Sequence, residues 1–351
     1  MEIKRVGVDL AKNVFQLHGV DRHEKPVWKR SLRRGQWLQE LQRRVAPGAE
    51  IGMEACAGAH HWGRRLEALG YRVKLMARQF VKPYVKSNKS DRNDAEAICE
   101  AMSRPSMRFV ELKSVEQQDI QAVHRVRAEL IKQRTAKVNQ IRGLVGEYGV
   151  VAPQGVSQVR KALPQWLEDA SNGLSDRFRR LLAGLAQDLR ALEERVEELD
   201  EQIESIVQET PAARRLLALR GVGPTTATAL VAALGSGRSF ARGREFAVAM
   251  GLTPKHHGTG GKERILGISK RGDAYLRQLL VHGARSAVRA AKRKDDGLSR
   301  WIQGLLTHKH SNVVTVALAN KTARMAWALI RHDIDYDGQL AAKPPAVPVT
   351  V

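Results

Sequence analysis

Between positions 182 and 206 the apolar residues fall at Leu182, Leu185, Leu189, Leu192, Val196, Leu199, Ile203 and Ile206. The steps alternate three and four without a fault. Only an α-helix puts that spacing on one stripe, and a stripe of this width is the seam of a coiled coil. The stretch from 114 to 148 also reads as one long helix. Ser114 and Gln117 form a capping box at its start, and it carries Arg125, Arg127, Lys132, Arg134, Lys137 and Arg142. The seam can close against this helix in the same chain or against a second copy, and both are expected together. A Gly- and Pro-containing connection around 149–175 joins the two helices. Residues 114–209 are thus a helical coiled-coil and oligomerisation region.

The segment before the coil, 1–113, alternates strands and helices. IKRVGVDLA is a short apolar strand with one acid, Asp9, and VFQLHGVD and PVWKRSLRR follow at hairpin spacing. An amphipathic helix runs from Trp37 to Val45, and EIGMEA is a strand ending at Glu54. A helix from His60 to Leu69 stops at Gly70, RVKLMA is a fifth strand, and Ser90 can cap a helix that begins with Asp91 and Asp94. A three-strand meander followed by α/β units is the order of an RNase H-like fold.

The chain has 351 residues and a formal charge of +22, so its carboxylates are few and their placement is informative. In an RNase H-like sheet Asp9 and Glu54 end adjacent strands. Asp91 and Asp94 lie one turn apart on one helix face. Taken singly, Asp91 reads as a first-turn acid favoured by the helix dipole and Glu54 as a partner of Arg64 or Arg65. Taken as an ordered set, the four carboxylates form an oxygen-only site for Mg²⁺ or Mn²⁺. Two such ions can activate an attacking oxygen and stabilise the leaving one in phosphodiester chemistry.

Beyond the coil, residues 210–340 read as a mainly helical domain, followed by a disordered tail at 341–351. From 210 to 332 there are 22 Lys and Arg against 5 Asp and Glu. Such an excess marks a polyanion-binding surface, because basic side chains release the counterions condensed on phosphates. Gly221-Val222-Gly223-Pro224 joins two apolar helices, as in a helix-hairpin-helix element whose Gly-rich turn aims N–H groups at a phosphate. No apolar run is long enough to span a membrane, the N-terminus is no signal peptide, and Cys56 and Cys99 offer neither a disulfide framework nor zinc spacing. A reducing cytoplasm is expected. His256-His257 and His308-Lys309-His310 read as surface or DNA-contacting histidines rather than zinc ligands, since no further spaced ligands accompany them.

GVDLAKN, GMEACAGAHHW and KSDRNDAEAI resemble the three blocks of the DEDD insertion-sequence transposases, the group that includes the Piv DNA invertase. AMGLTPKHHGTGGKERILGISKRGDAYLR resembles their C-terminal block, in the subgroup ending in ISKRGD, and the resemblance runs over roughly 1–335. It implies a RuvC-like domain whose DEDD metal site falls at Asp9, Glu54, Asp91 and Asp94. It also implies a transposase domain whose hydroxyl links covalently to DNA. By the same resemblance, the recombinase is guided by a bridge noncoding RNA that pairs with donor and target DNA, and it acts as dimers assembling to tetramers, in the bacterial cytoplasm at the nucleoid. Composition alone would say only nucleic acid.

The family's catalytic serine falls five residues after the proline of the GL-P block. Here that proline is Pro254 and the fifth residue on is Thr259, with Ser269 the nearest alternative hydroxyl. Thr259 reads otherwise as a residue that contacts phosphate together with Gly260 and Gly261. Lys262, Arg264, Lys270 and Arg271 are candidates for holding the scissile phosphate. Two other functions fit parts of the pattern. A metal-dependent, structure-selective endonuclease of the junction-resolvase kind would use the carboxylates alone, and a DNA-binding scaffold would need none of them.

Overall fold

The computed structural model describes residues 2–86 and 91–338, with only the backbone of Asp91 and Arg92. The expected Ser90 cap and the 341–351 tail lie outside these residues. The chain forms two compact units. One extends to Glu116 and takes in Gly235–Ala241; the other comprises Gln117–Leu234 and the residues from Arg242 onward.

The first unit is built on a six-stranded sheet of order β3-β2-β1-β4-β5-β6. Strands β1 (Arg5–Asp9), β2 (Val14–Val20) and β3 (Pro26–Arg33) form the expected antiparallel meander. Helix α1 (Trp37–Arg44) leads to β4 (Glu50–Glu54), α2 (Ala59–Ala68) to β5 (Arg72–Met76), and both of these strands run parallel to β1. A short helix α3 (Arg78–Val81) and helix α4 (Asp91–Ala101) follow, and a two-residue strand β6 (Phe109–Val110) that the sequence reading missed pairs antiparallel with β5.

Alternation along the strands sends Val6, Val8, Phe15, Leu17, Ile51 and Met53 to a core shared with Trp37, Leu41, Trp62 and Leu66 of α1 and α2. Phe15, Trp37 and Trp62 meet edge to face with centroids 5.0 to 5.6 Å apart, a geometry that adds about 0.5–1.5 kcal/mol per pair to simple burial. The opposite alternation, which carries Gly7, Asp9, Gly52 and Glu54, faces α4. A Cβ on Gly7 would lie 2.2 Å from the Ala95 oxygen and 2.6 Å from the Cys99 nitrogen, and one on Gly52 would lie 2.5 Å from Met102 Sδ. The two glycines let α4 lie almost backbone to backbone on the sheet. Ser236 and Ser239, in the segment returning from the other unit's sequence, bond to Glu111, with Ser236 Oγ 2.6 Å from its carboxylate.

In the second unit α5 (Val115–Gly146) and α7 (Asp176–Glu209) run antiparallel, as Lys137–Asp188 at 2.9 Å and Arg127–Asp200 at 2.5 Å show by their opposed numbering. The stretch expected to be a plain connection contains a helix, α6 (Val156–Glu168). Pro164 inside it obscures the signal, because proline lacks an N–H and ordinarily interrupts a helix. Val159 and Leu163, one turn apart, override that cost by packing with Val138, Ile141 and Val145 of α5 and Phe178, Leu182, Leu185 and Leu189 of α7. Farther along, Val196, Leu199 and Ile203 are buried, and then Val207 rather than Ile206. A helix of 3.6 residues per turn drifts off a strict seven-residue seam, so the inward place moves on by one.

Short α8 (Pro211–Leu216), α9 (Pro224–Leu234) and α10 (Gly243–Ala249) precede a β-hairpin of β7 (Pro254–Thr259) and β8 (Lys262–Ile268). Helices α11 (Ala274–Ala291), α12 (Gly297–Leu306) and α13 (Ser311–His332) complete the unit. The rest is mostly helical, as expected, and the hairpin is the exception. Gly260 and Gly261 both have positive φ, 55° and 76°, which is what a two-residue hairpin turn needs.

Candidate active site and nucleic-acid interface

Val8 pairs with Met53 across parallel β1 and β4, so Asp9 and Glu54 follow side by side at the C-terminal ends of the two strands. Both side chains are half-buried. The Glu54 carboxyl is pushed up from its ordinary value by burial and by the charge of Asp94, against the opposing pull of Arg78. The neighbouring Cys56 thiol is also pushed up by burial, then by Glu54 and Asp9. Asp9, Glu54 and Asp94 therefore act on one small region. The cation acting on Glu54 is Arg78 of α3, not Arg64 or Arg65. Arg64 instead donates to the Lys113 carbonyl at 2.6 Å, and Arg65 lies over the Trp62 ring.

Asp91 begins α4 one turn before Asp94, but its side chain lies outside the described residues. Among the described residues no three His, Cys, Asp or Glu side chains are grouped closely enough to hold a metal ion. The donor set nevertheless suits a hard cation. Like-charged carboxylates brought together at a half-buried edge repel one another, and a divalent ion bound by oxygens relieves that repulsion.

In the second unit Thr259 ends β7, opposite Lys262 and exposed beside the turn. By strand alternation His257 and its partner Arg264 share its face. Ser269 is half-buried at the hairpin's other end, where its hydroxyl accepts from the Arg271 N–H at 3.4 Å. Seven residues of extended chain separate Lys262 from Ser269, about 24 Å at ~3.4 Å each, so the two hydroxyls cannot serve one site. Lys270 and Arg271 belong to a turn locked against the GL-P segment. Lys270 N–H donates to the Gly251 carbonyl at 3.1 Å, and a Cβ on Gly272 would lie 1.7 Å from the Ala249 oxygen. The hydroxyl-Gly-Gly stretch expected from the sequence is thus the tip of a hairpin; the one signal for its strands is the Gly-Gly pair between two polar runs.

Gly221 and Gly223 have different roles. Gly221 packs on Gly283 of α11, where a Cβ would lie 2.4 Å from the Gly283 oxygen, whereas Gly223 is exposed with nothing within 4 Å. Only the Gly223 side of the turn is open to a phosphate. His310 caps α13, accepting from the Asn312 N–H at 3.2 Å, which accounts for one of the paired histidines structurally. A further polar cluster not expected from the sequence centres on the buried His124, whose ring bonds Tyr275 Oη at 3.0 Å and Thr228 Oγ1 at 2.9 Å. A single polar residue on an apolar stripe gives no sign of its partners.

Residues 6–150 match the model of the DEDD transposases, and residues 213–297 match the model described as "Transposase IS116/IS110/IS902 family". A protein of Pseudomonas aeruginosa named a probable family 20 transposase is 49% identical over 337 residues, 96% of this chain and 99% of that protein. The chain belongs to the IS110 family of transposases. Relatives in the same class include the transposase for insertion sequence element IS1111A of Coxiella burnetii, 42% identical over 95% of this chain and 92% of its own length. Another is the transposase for IS1328 of Yersinia enterocolitica, 40% identical over 92% of this chain and 96% of its own length.

This IS110-family chain is thus an enzyme, a DNA transposase, and its DEDD transposase domain implies use of a divalent metal. The first matched segment includes Asp9, Glu54, Asp91 and Asp94; the second includes Thr259 and Ser269. Among the described residues no helix is long and apolar enough to cross a membrane.

Proposed function

We propose that this transposase cleaves and rejoins DNA strands with Asp9, Glu54, Asp91 and Asp94 as ligands for two Mg²⁺ or Mn²⁺ ions and Thr259 as the covalent nucleophile. The observation that carries the reading is the placement of Asp9 and Glu54 side by side at one end of the sheet, with the charge of Asp94 acting on Glu54. The order of β1 to β5, with an antiparallel meander and then two parallel strands, supports an RNase H-like, RuvC-like fold for this unit. The bound metal supplies Lewis-acid stabilisation of phosphate oxygens. The Thr259 oxygen loses its proton and forms a bond to phosphorus as the bond to the leaving sugar oxygen breaks, and that oxygen takes up a proton. A free strand hydroxyl then reverses the step on a new partner.

Thr259 is preferred to Ser269 because it is exposed and shares a face with Lys262, His257 and Arg264, whereas Ser269 is half-buried at the hairpin base. Gly260, Gly261, Lys262, Arg264, Lys270, Arg271 and the Gly223 side of the Gly221 turn would contact phosphates. Guidance by a bridge RNA and dimers assembling to tetramers belong to the same proposal, which rests for them on the family alone. The test is a stalled reaction on a duplex carrying the element's end, digested with protease and read by mass spectrometry. A nucleotide on the peptide containing Thr259 is expected only when Mg²⁺ is present. Cleaved strands with no adduct would favour the endonuclease reading instead.

A further inference from the structure

The carboxylate end of the sheet carries a second cluster, Arg34, His61 and Arg65 around Trp62, to which nothing above gives a role, although His61 and Trp62 lie within the GMEACAGAHHW block. Strand β3 ends at Arg33, beside the start of β2 and hence beside the end of β1. There the Arg34 N–H donates to the Asn13 carbonyl at 2.8 Å, and Arg34 Nη1 lies 3.4 Å from the Lys12 carbonyl. Helix α2 begins five residues after Glu54, so its first turns stand at the same end, across the sheet from α4.

Trp62 of α2 joins the two elements. The Arg34 guanidinium carbon lies 5.4 Å from its ring centroid and 6.0 Å from that of Phe15; the Arg65 carbon lies 5.3 Å from Trp62, and the His61 ring meets Trp62 edge-on at 5.1 Å. Trp62 is only 5% exposed, while Arg34, His61 and Arg65 are exposed. These guanidiniums form the outer cover of an aromatic core.

Other arginines of this unit have acids: Arg5 pairs with Glu24 and Glu50, and Arg104 with Glu100. Among the described residues neither Arg34 nor Arg65 has a carboxylate partner. The His61 ring is held toward its neutral form by burial and then by Arg65, Arg64 and Arg34, so all three cations act on one place. Gathering like charges there costs folding energy, and among the described residues no ion pair offsets it. A guanidinium held over the edge of an aromatic core, with its N–H groups toward solvent, can make a bidentate phosphate contact.

We propose that Arg34, His61 and Arg65 form a phosphodiester-binding site that holds a DNA strand at the carboxylate end of the sheet. The choice of DNA rests on the proposed function, because it takes the adjoining acids as the place where DNA is cut. The site positions the strand backbone and reads no base.

The test uses the full chain in EDTA, so that binding is read without cleavage. Probes are a fluorescein-labelled DNA duplex of mixed sequence and its RNA counterpart, titrated by anisotropy over a range of KCl. Each lost phosphate contact lowers the slope of log K against log salt by about 0.9 on duplex DNA. R34Q/R65Q should therefore lower the DNA slope by about 2, and R34K/R65K, which keeps both charges, should restore it. In the wild-type protein, bound duplex should shield Arg34 and Arg65 from phenylglyoxal, a readout that needs no variant to fold. An unchanged slope in a folded R34Q/R65Q, or equal phenylglyoxal labelling with and without DNA, overturns the proposal. A change confined to the RNA probe overturns the assignment to DNA. Failure of the metal-site reading is separate: it would appear as normal cleavage by Asp9→Ala, with these slopes unaffected.

Discussion

Gly7 and Cys99 hold strand β1 and helix α4 so close that a Cβ at position 7 would sit 2.6 Å from the Cys99 nitrogen. The contact fixes where α4 can lie, and so where Asp94 stands relative to Asp9 and Glu54. Gly7→Ala should destabilise the protein by about 1–3 kcal/mol through overpacking, because the nearest atoms are backbone and cannot swing aside. Gly184→Ala, on the exposed surface of α7 with nothing within 4 Å, should instead stabilise by about 0.5–1 kcal/mol. Urea denaturation of both variants checks this. Equal stability of Gly7→Ala and wild type would mean α4 is not seated against β1 as described.

The carboxylate cluster makes a prediction about metal. Asp9→Asn, Glu54→Gln and Asp94→Asn should each abolish strand cleavage in Mg²⁺ while leaving DNA binding near normal. Without metal, Glu54→Gln should melt no lower than wild type, since it removes a charge that burial disfavours, and Asp94 repels, by more than Arg78 attracts it. Addition of Mg²⁺ should raise the melting temperature of wild type more than that of any variant. Scanning calorimetry with and without MgCl₂ measures both effects.

At the hairpin tip, Thr259→Ala should lose cleavage and the protein–DNA adduct, whereas Thr259→Ser should retain or raise both because serine keeps the oxygen and sheds the methyl. Ser269→Ala should still form the adduct. Transfer of the adduct to the Ser269 peptide would reverse the assignment, since the two hydroxyls stand at opposite ends of β8.

His124 is 4% exposed and its pKa is lowered to about 4 by burial and then by the charge of Arg127. Its folded value lies below the unfolded value of about 6.5, so the unfolded chain binds the proton more readily. The stability it contributes is complete above pH 6.5 and is lost as pH falls toward 4. Linkage gives a loss of about 2 kcal/mol between pH 7.5 and 5. Guanidinium titrations at the two pH values should show that difference in wild type and a smaller one in His124→Gln.

Leu199 is buried on the α7 seam within a single chain. Leu199→Lys places an unpaired charge there and should lower helical stability by several kcal/mol. Light scattering on the same variant tests the proposed dimer: a smaller species that stays helical would place the seam between protomers rather than within the α5–α7 pair.

The sequence by itself determined whatever depends on spacing along the chain. Alternation and turn residues specified the meander and the strands ending at Asp9 and Glu54, and the three-four repeat specified α7. The charge imbalance specified a nucleic-acid partner, and the ordered blocks specified the family. Each of these is a local or periodic property, recorded in neighbouring residues. Tertiary structure decided what depends on residues far apart. It selected Arg78 over Arg64 and Arg65 as the cation acting on Glu54. It placed a helix across Pro164 because Val159 and Leu163 gained more from burial than the missing N–H cost. It also separated Thr259 from Ser269 along an extended strand, and brought Arg34 and Arg65 onto one tryptophan. Packing free energy belongs to pairs of surfaces, and one surface's residues do not record which other surface will cover them.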